Sequence, residues 1–269
     1  MKLRLITAAI GIPGIIFCLV VRGWFAELVV ALVALIAMNE CYRALKAAKY
    51  SVCTWGGYLA ALAMWPLSQF FGIKDPLLLV IAATGISMVG VIVGKEPTFP
   101  NAAATVYPLF TVLLPLCMLL MMVNTTFGRV PGIALITMAF AIAYGCDSAA
   151  YLGGKTMGRH KLCPRVSPKK TVEGAFFGLL GGVMAALACR AVFVYGLDTP
   201  MPGVPAAILL GVVGAFFGQI GDLTASILKR YSGIKDYGKI FPGHGGIMDR
   251  MDSVIFTLIV MYCYTLVLH

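Results

Sequence analysis

The sequence predicts an all-α integral membrane protein, a polytopic helical bundle of about nine transmembrane helices. Of its 269 residues, 60% are hydrophobic and only 12% are charged, and the mean hydropathy is +0.93. A soluble globular domain is about 45–50% apolar and about 25% charged. The composition therefore excludes a soluble enzyme, a disordered chain and a secreted disulfide scaffold. Because one span needs about 20 apolar residues, the chain has room for one helical membrane unit and little else.

Apolar segments follow one another along the chain with short polar stretches between them. Interior prolines such as Pro13 and Pro115 are tolerated in membrane helices. Lys2 and Arg4 precede the first segment as in a signal peptide, but no A-x-A-like site follows it, which favours an uncleaved helix. The predicted spans are residues 5–21, 25–45, 55–71, 77–93, 102–123, 132–152, 174–195, 204–228 and 253–268.

Basic residues are concentrated in alternate loops. With the N-terminus in the cytoplasm, 17 of the 21 Lys and Arg residues lie inside, and only Arg22, Lys74, Arg129 and Arg190 lie outside. The positive-inside rule then predicts an inner N-terminus and an outer C-terminus. This bias and attraction to anionic lipid explain the net charge of +10, so no nucleic-acid partner is predicted.

Neither cysteines nor histidines predict a metal site or a disulfide framework. The eight cysteines form no C-x-x-C pair, and the three histidines are widely dispersed. Small residues instead predict close helix packing, at Gly178 and Gly182 and again at Gly214 and Gly218. Such packing is compatible with a homodimer.

The polar chemistry lies in the second half of the chain. The sequence thus predicts an N-terminal region of about five spans, residues 1–131, and a catalytic region, residues 132–269. Two basic cytoplasmic loops are predicted in the catalytic region, at residues 153–172 and 229–250.

Two aspartates, Asp147 and Asp222, lie inside predicted spans. A carboxylate there costs about 2.5–3.5 kcal/mol on insertion scales, so each needs a partner. On a helix, Asp222 lies on one polar stripe with Ser226, Lys229 and Arg230.

A second acidic pair, Asp249 and Asp252, would share one face at the start of the last span. An internal salt-bridge network is one interpretation of these aspartates. A site that binds metal and phosphate together explains better why they lie among so many basic groups.

A glycine-rich turn, residues 242–246, lies next to Asp249. Glycines let backbone N–H groups approach an anion, and such turns bind phosphates. A P-loop is excluded, because Ala149 stands where the motif needs glycine before Gly154-Lys155. No G-x-S-x-G element indicates a serine nucleophile. These motifs favour metal-assisted phosphoryl or nucleotidyl transfer at the cytoplasmic membrane face.

Three segments share a wider pattern. The longest reads Ser226-x-x-Lys229-Arg230-x4-Lys235-Asp236-x5-Pro242-x-His244-Gly245-Gly246-x-x-Asp249-Arg250-x-Asp252. The others read Asp147-x-x-Ala150-Tyr151-x-Gly153 and Ser167-Pro168-Lys169-Lys170-Thr171-x-Glu173-Gly174. Together they resemble the signature of the bacterial phosphatidate cytidylyltransferases, also called CDP-diacylglycerol synthases, over roughly residues 144–252.

The resemblance implies a reaction of CTP with phosphatidic acid that gives CDP-diacylglycerol and diphosphate. It also implies Mg²⁺, in a two-metal site, and a place in the bacterial inner membrane with the active site facing the cytoplasm. CTP, phosphatidic acid and membrane lipid are the expected partners. Because the lipid phosphate is already ionised, catalysis can depend on positioning, metal and cations without a strong base.

The resemblance also assigns roles to residues. Asp222 and Asp249 are the expected metal ligands and, with Lys229, Arg230 and His244, the expected catalytic residues. His244 is expected to contact or orient a phosphate. The expected substrate-binding residues are Asp147, Ser167, Lys169, Lys170, Thr171, Ser226, Lys235, Asp236, Gly245, Gly246, Arg250 and Asp252.

Two other functions are compatible with parts of the sequence. A CTP-dependent lipid kinase acting on a polyprenol would also place acidic and basic residues in cytoplasmic loops. It would need a base for its hydroxyl acceptor and would release CDP. An anion transporter could line a path with Asp147 and Asp222, but the predicted charges cluster at one membrane face.

Overall fold

The computed structural model describes residues 23–72, 75–240 and 245–268. The first predicted span, residues 5–21, and the predicted site residue His244 lie outside this range. The chain divides into two compact units. Within the described ranges, the first unit comprises residues 23–72, 75–123, 228–240 and 245–251, and the second comprises residues 124–227 and 252–268.

Helices make up most of the described chain. Two antiparallel hairpins accompany them, one of strands β1 (Thr126–Phe127) and β2 (Val130–Pro131), the other of β3 (Lys161–Cys163) and β4 (Ser167–Thr171). The helices are α1 Gly23–Ala47, α2 Trp55–Phe71, α3 Pro76–Ile92, α4 Phe99–Pro108, α5 Leu114–Val123, α6 Gly132–Met157, α7 Val172–Ala191, α8 Val204–Tyr231 and α9 Met248–Thr265.

In the first unit, α1 packs against α2 and α5 through a stripe of small and apolar residues. Ala34, Met38 and Cys41 on this stripe are fully buried. A π-helical turn, Leu109–Leu113, joins α4 to α5. This turn precedes Pro115, which has no N–H to donate to the carbonyl four residues earlier, so a widened turn is expected there.

The second unit contains α6 and α7, which lie in close contact. A Cβ atom on Gly145 would come within 2.6 Å of the Cβ of Ala185. A Cβ on Gly182 would come within 2.5 Å of the Cβ of Ala215, and one on Gly214 within 3.2 Å of Thr257. The predicted close packing at Gly182 and Gly214 is confirmed, because a larger side chain at either position would force the helices apart.

Among the residues that the structure describes, five helical stretches are long and apolar enough to cross a membrane. They are Gly23–Ala47, Phe99–Val123, Gly132–Met157, Val172–Gly196 and Val204–Tyr231, and the shorter Pro76–Ile92 is also apolar. The boundaries predicted for residues 55–71 agree with those of α2. The chain is therefore a multi-pass membrane protein built mainly of helices.

The two predicted loops contain more regular structure than the sequence indicated. Helix α6 continues to Met157, and β3 and β4 occupy much of residues 158–171. At the second loop, α8 extends to Tyr231 and α9 already begins at Met248. Asp249 therefore lies in the first turn of a helix, where a carboxylate is favoured by the helix dipole.

Candidate active site

A cavity of about 340 Å³ with charged side chains in its lining lies in the second unit, and we call it the Asp222 cavity. Its walls come from α6, the β3–β4 hairpin, the start of α7 and the middle of α8. The lining residues are Asp147, Ala150, Tyr151, Gly154, Lys155, Leu162, Lys169, Lys170, Thr171, Gly174, Ala175, Gln219 and Asp222. Residues of two of the three signature segments predicted from the sequence line this cavity, together with Asp222 of α8.

An ion pair joins Lys170 and Asp222 within the cavity. The Nζ atom of Lys170 lies 2.6 Å from Oδ2 of Asp222, and each side chain is 27% exposed. The hydroxyl of Ser226, one turn along α8, donates to Oδ1 of Asp222 at 3.4 Å. The pair therefore keeps a carboxylate and an ammonium group close together where a ligand can reach both.

The second carboxylate of the cavity belongs to Asp147 of α6. Its Oδ2 atom accepts a hydrogen bond from the Ser253 hydroxyl at 3.1 Å. The sequence analysis did not select two other lining residues, Lys155 and Gln219, as site residues. The amide of Gln219 donates to the Ala175 carbonyl at 3.0 Å, which ties α8 to the start of α7.

Local hydrogen bonds position the basic strand β4. Thr171 is the N-cap of α7, and its hydroxyl accepts from the N–H of Gly174 at 3.1 Å. Glu173 in the first turn accepts from the backbone N–H of Arg159 at 3.0 Å and pairs with the His160 ring at 2.6 Å. These contacts hold the hairpin against α7, and the two lysines of β4 then line the cavity.

A second cluster lies in the first unit, and we call it the Asp249 cluster. Oδ1 of Asp249 lies 3.0 Å from Nζ of Lys229. Its Oδ2 atom accepts from the N–H groups of Tyr237 at 2.7 Å and Gly246 at 2.9 Å. The Lys229 ammonium also lies 5.4 Å from the centre of the Tyr237 ring. The Asp249 side chain is 5% exposed, so this carboxylate organises the segment around it.

The buried carboxylate of Glu40 also belongs to this part of the structure. It accepts from the backbone N–H groups of Ile247 at 3.2 Å and Met248 at 2.9 Å. The sequence analysis missed Glu40. The signal was present, because Glu40 lies in the predicted span 25–45, where a carboxylate is as costly as at Asp147.

The remaining predicted residues fall into four groups. Ser167 and Lys169 lie on β4, and Asp252 and Gly245 lie on or next to α9, with Asp252 Oδ1 accepting from the N–H of Ser253 at 2.9 Å. His244 is outside the described residues. Arg230, Lys235, Asp236 and Arg250 are exposed, as is Lys169.

Asp222 and Asp249 are the candidate ligands for a divalent cation, which binds carboxylate oxygens. Among the described residues, no three Asp, Glu, His or Cys side chains form a metal-binding group. Asp222 nevertheless has suitable chemistry, because it is a partly exposed carboxylate in a cavity, and a metal there would share its oxygens with Lys170 or displace that ammonium group. Both oxygens of Asp249 already accept hydrogen bonds or an ion pair, so a metal there would share them with Lys229 or displace it.

The chain is similar to known proteins. The sequence profile of the cytidylyltransferase family matches residues 2–268. A phosphatidate cytidylyltransferase of Staphylococcus aureus is 46% identical over 132 residues, 48% of each chain. Phosphatidate cytidylyltransferases of Staphylococcus epidermidis and Staphylococcus haemolyticus are 45% and 41% identical over 130 residues, again 48% of each chain. The alignment thus spans about half the length of these relatives.

Proposed function

Because the chain belongs to the cytidylyltransferase family, we propose that it transfers the cytidylyl group of CTP to phosphatidic acid. The observation that carries this proposal is the Asp222 cavity, where three lysines and two aspartates surround a space in a protein of apolar helices. Lysines there suit two anionic substrates, one of them a membrane lipid. The names of the Staphylococcus relatives support the same donor and acceptor.

The reaction requires one bond to form and one to break. An oxygen of the phosphatidic acid phosphate attacks the α-phosphorus of CTP, and the bond to the β-phosphate oxygen breaks. The products are CDP-diacylglycerol and diphosphate. Since the attacking phosphate is ionised, positioning and charge stabilisation replace a strong general base.

The residues of the chain have distinct proposed roles. Lys170 and Lys169 neutralise phosphate charge in the cavity, with Ser167 and Thr171 near the nucleotide or lipid head group. Lys229 and Arg230 at the end of α8, His244, and Arg250 in the first turn of α9 are proposed to neutralise phosphate charge as well. The remaining proposed substrate-binding residues are Asp147, Ser226, Lys235, Asp236, Gly245, Gly246 and Asp252.

A magnesium site forms part of the proposal. Asp222 in the second unit and Asp249 in the first are the proposed Mg²⁺ ligands, and we expect two metal ions. The ions would neutralise charge on the phosphates and on the leaving diphosphate. The chain itself supplies the carboxylates for these ions and the lysines that bind the phosphates.

The proposed arrangement in the membrane follows the charge bias of the loops. We expect nine spans in the bacterial inner membrane, with an inner N-terminus and an outer C-terminus. Residues 132–269 form the proposed catalytic transmembrane region, whose active site faces the cytoplasm, and residues 1–131 form the preceding spans. A homodimer stays a prediction.

Labelled CTP tests the proposed reaction. Label at the α-phosphate should enter the lipid product, and label at the γ-phosphate should appear in diphosphate. Both should require phosphatidic acid and Mg²⁺. Transfer of γ-label into lipid would identify a kinase instead. Anion flux in proteoliposomes without CTP turnover would indicate a transporter.

Cysteine labelling tests the proposed orientation. In a variant without native cysteines, Lys161→Cys in β3 should react with an impermeant reagent only after cells are permeabilised. Arg129→Cys, in a turn predicted to be outside, is the matched control and should react in intact cells. Labelling of Lys161→Cys in intact cells would contradict the topology.

A further inference from the structure

Glu40 is a carboxylate enclosed in the first unit, far along the chain from the residues it contacts. It lies on α1, only 2% of the residue is exposed, and its hydrogen-bond partners follow 207 and 208 positions later. Burial of a charged group is costly unless hydrogen bonds compensate for lost water. The two N–H groups of Ile247 and Met248 supply such bonds. They belong to the start of α9, whose dipole also favours a negative charge.

Two carboxylates together bind three consecutive N–H groups. Asp249 accepts from Gly246, and Glu40 accepts from Ile247 and Met248. Asp249 in addition holds Lys229 and the backbone of Tyr237. The position of the Asp249 carboxylate thus depends on the same short turn that Glu40 anchors.

Two glycines show how closely the chain surrounds Glu40. A Cβ atom on Gly238 or on Gly246 would overlap the Glu40 carboxylate. Gly245 has a φ of +85°, a conformation that glycine adopts without strain. The chain on both sides of this carboxylate is therefore shaped around it, with no space for a side chain at Gly238 or Gly246.

We propose that Glu40 is a positioning residue for the cytidylyl transfer. It fixes the start of α9, so that Asp249 and Lys229 keep the relative position that the reaction requires. This inference rests on the proposed function. It also gives helix α1 of the first unit a role in positioning the site, although no residue of α1 belongs to the signature segments.

Substitutions at Glu40 separate this role from simple packing. Glu40→Gln keeps the size but presents an amide N–H₂ to one backbone N–H donor, so one of the two hydrogen bonds is lost. Glu40→Asp keeps the charge but withdraws the carboxylate by one methylene. Gly238→Ala leaves the Glu40 side chain unchanged, but the added methyl group would push the Glu40 carboxylate out of its position.

Kinetics of the purified full-length protein provide the main measurement. Glu40→Gln should lower kcat by about 10–100-fold, the usual effect of removing a group that orients a catalytic residue. The KM values for CTP and phosphatidic acid should change by less than about threefold, because the phosphate-binding lysines remain. Glu40→Asp should retain more activity than Glu40→Gln, and Gly238→Ala should show the same kcat loss with little change in KM.

Glu27→Gln is the matched control. Glu27 lies on the same helix, is 5% exposed and pairs with Gln69. This variant also loses a buried carboxylate, but far from α9 in sequence, and its kcat should equal that of the wild type. Equal kcat losses in Glu27→Gln and Glu40→Gln would overturn the proposal, since the effect would then be general destabilisation.

Hydrogen exchange of the detergent-solubilised protein gives a readout that does not need activity. Amides in residues 245–251 should exchange faster in Glu40→Gln than in the wild type and in Glu27→Gln. Wild-type kcat in Glu40→Gln, or unchanged exchange in this segment, would refute the positioning role. Absence of CTP turnover in the wild type would refute the proposed function, and exchange would still report whether Glu40 holds the segment.

Discussion

Asp222→Asn should lower kcat/KM by more than about 100-fold while the protein inserts and folds like the wild type. The amide has the same size, but it removes the negative charge that faces Lys170 at 2.6 Å and that would hold Mg²⁺. Each tenfold loss corresponds to about 1.4 kcal/mol of transition-state stabilisation. Diphosphate release at varied CTP and Mg²⁺ measures the effect.

Asp75→Asn is the control for this change. Asp75 caps α3, where its carboxylate accepts from the N–H of Leu77 at 2.9 Å, and asparagine is an equally good cap. Its turnover should stay at the wild-type level. If Asp222→Asn retained more than about a tenth of wild-type kcat/KM, the loss would be too small for a metal ligand, and the proposed role of Asp222 would be wrong.

Hydropathy predicted the helices well, because a span must satisfy its backbone hydrogen bonds internally and so becomes a helix. The same measure could not predict the β3–β4 hairpin. Its strand Ser167–Thr171 is polar and contains Pro168 and two lysines, so no alternation of apolar and polar residues indicates a strand. The hairpin instead depends on contacts with α7, such as the bond from the Arg159 N–H to Glu173.

The candidate site was predictable where chemistry and sequence spacing coincide. Asp222, Lys229 and Asp249 were selected for their charge and spacing, and the structure gives each of them an ionic partner within the predicted set. Glu40 and Gln219 were missed because their partners lie far away in the chain and no local pattern marks them. For Glu40, the available signal was the free-energy cost of placing a carboxylate inside a span. That argument was made only for Asp147 and Asp222, the two aspartates inside predicted spans.

Asp249→Asn and Lys229→Met should each lower kcat/KM by more than about 100-fold and should be strongly coupled in stability. The amide oxygen introduced by Asp249→Asn can still accept from the N–H groups of Tyr237 and Gly246, but the amide N–H₂ group then faces the Lys229 ammonium. Both side chains of the wild-type pair are largely enclosed, at 5% and 16% exposure. Removing one partner of such a pair is costly because the other charge stays buried.

A double-mutant cycle of these two substitutions measures the pair directly. The midpoint of thermal unfolding in detergent should fall in each single variant and fall less than additively in Asp249→Asn/Lys229→Met. We expect a coupling free energy of about 0.5–3 kcal/mol, the range found for contacting residues. Activity should not return in the double variant, since the charges that act on phosphate and metal are both absent. Strictly additive stability losses would show that Lys229 and Asp249 do not depend on each other. Restored turnover in the double variant would show that the pair only holds the segment together, and its proposed catalytic role would then be wrong.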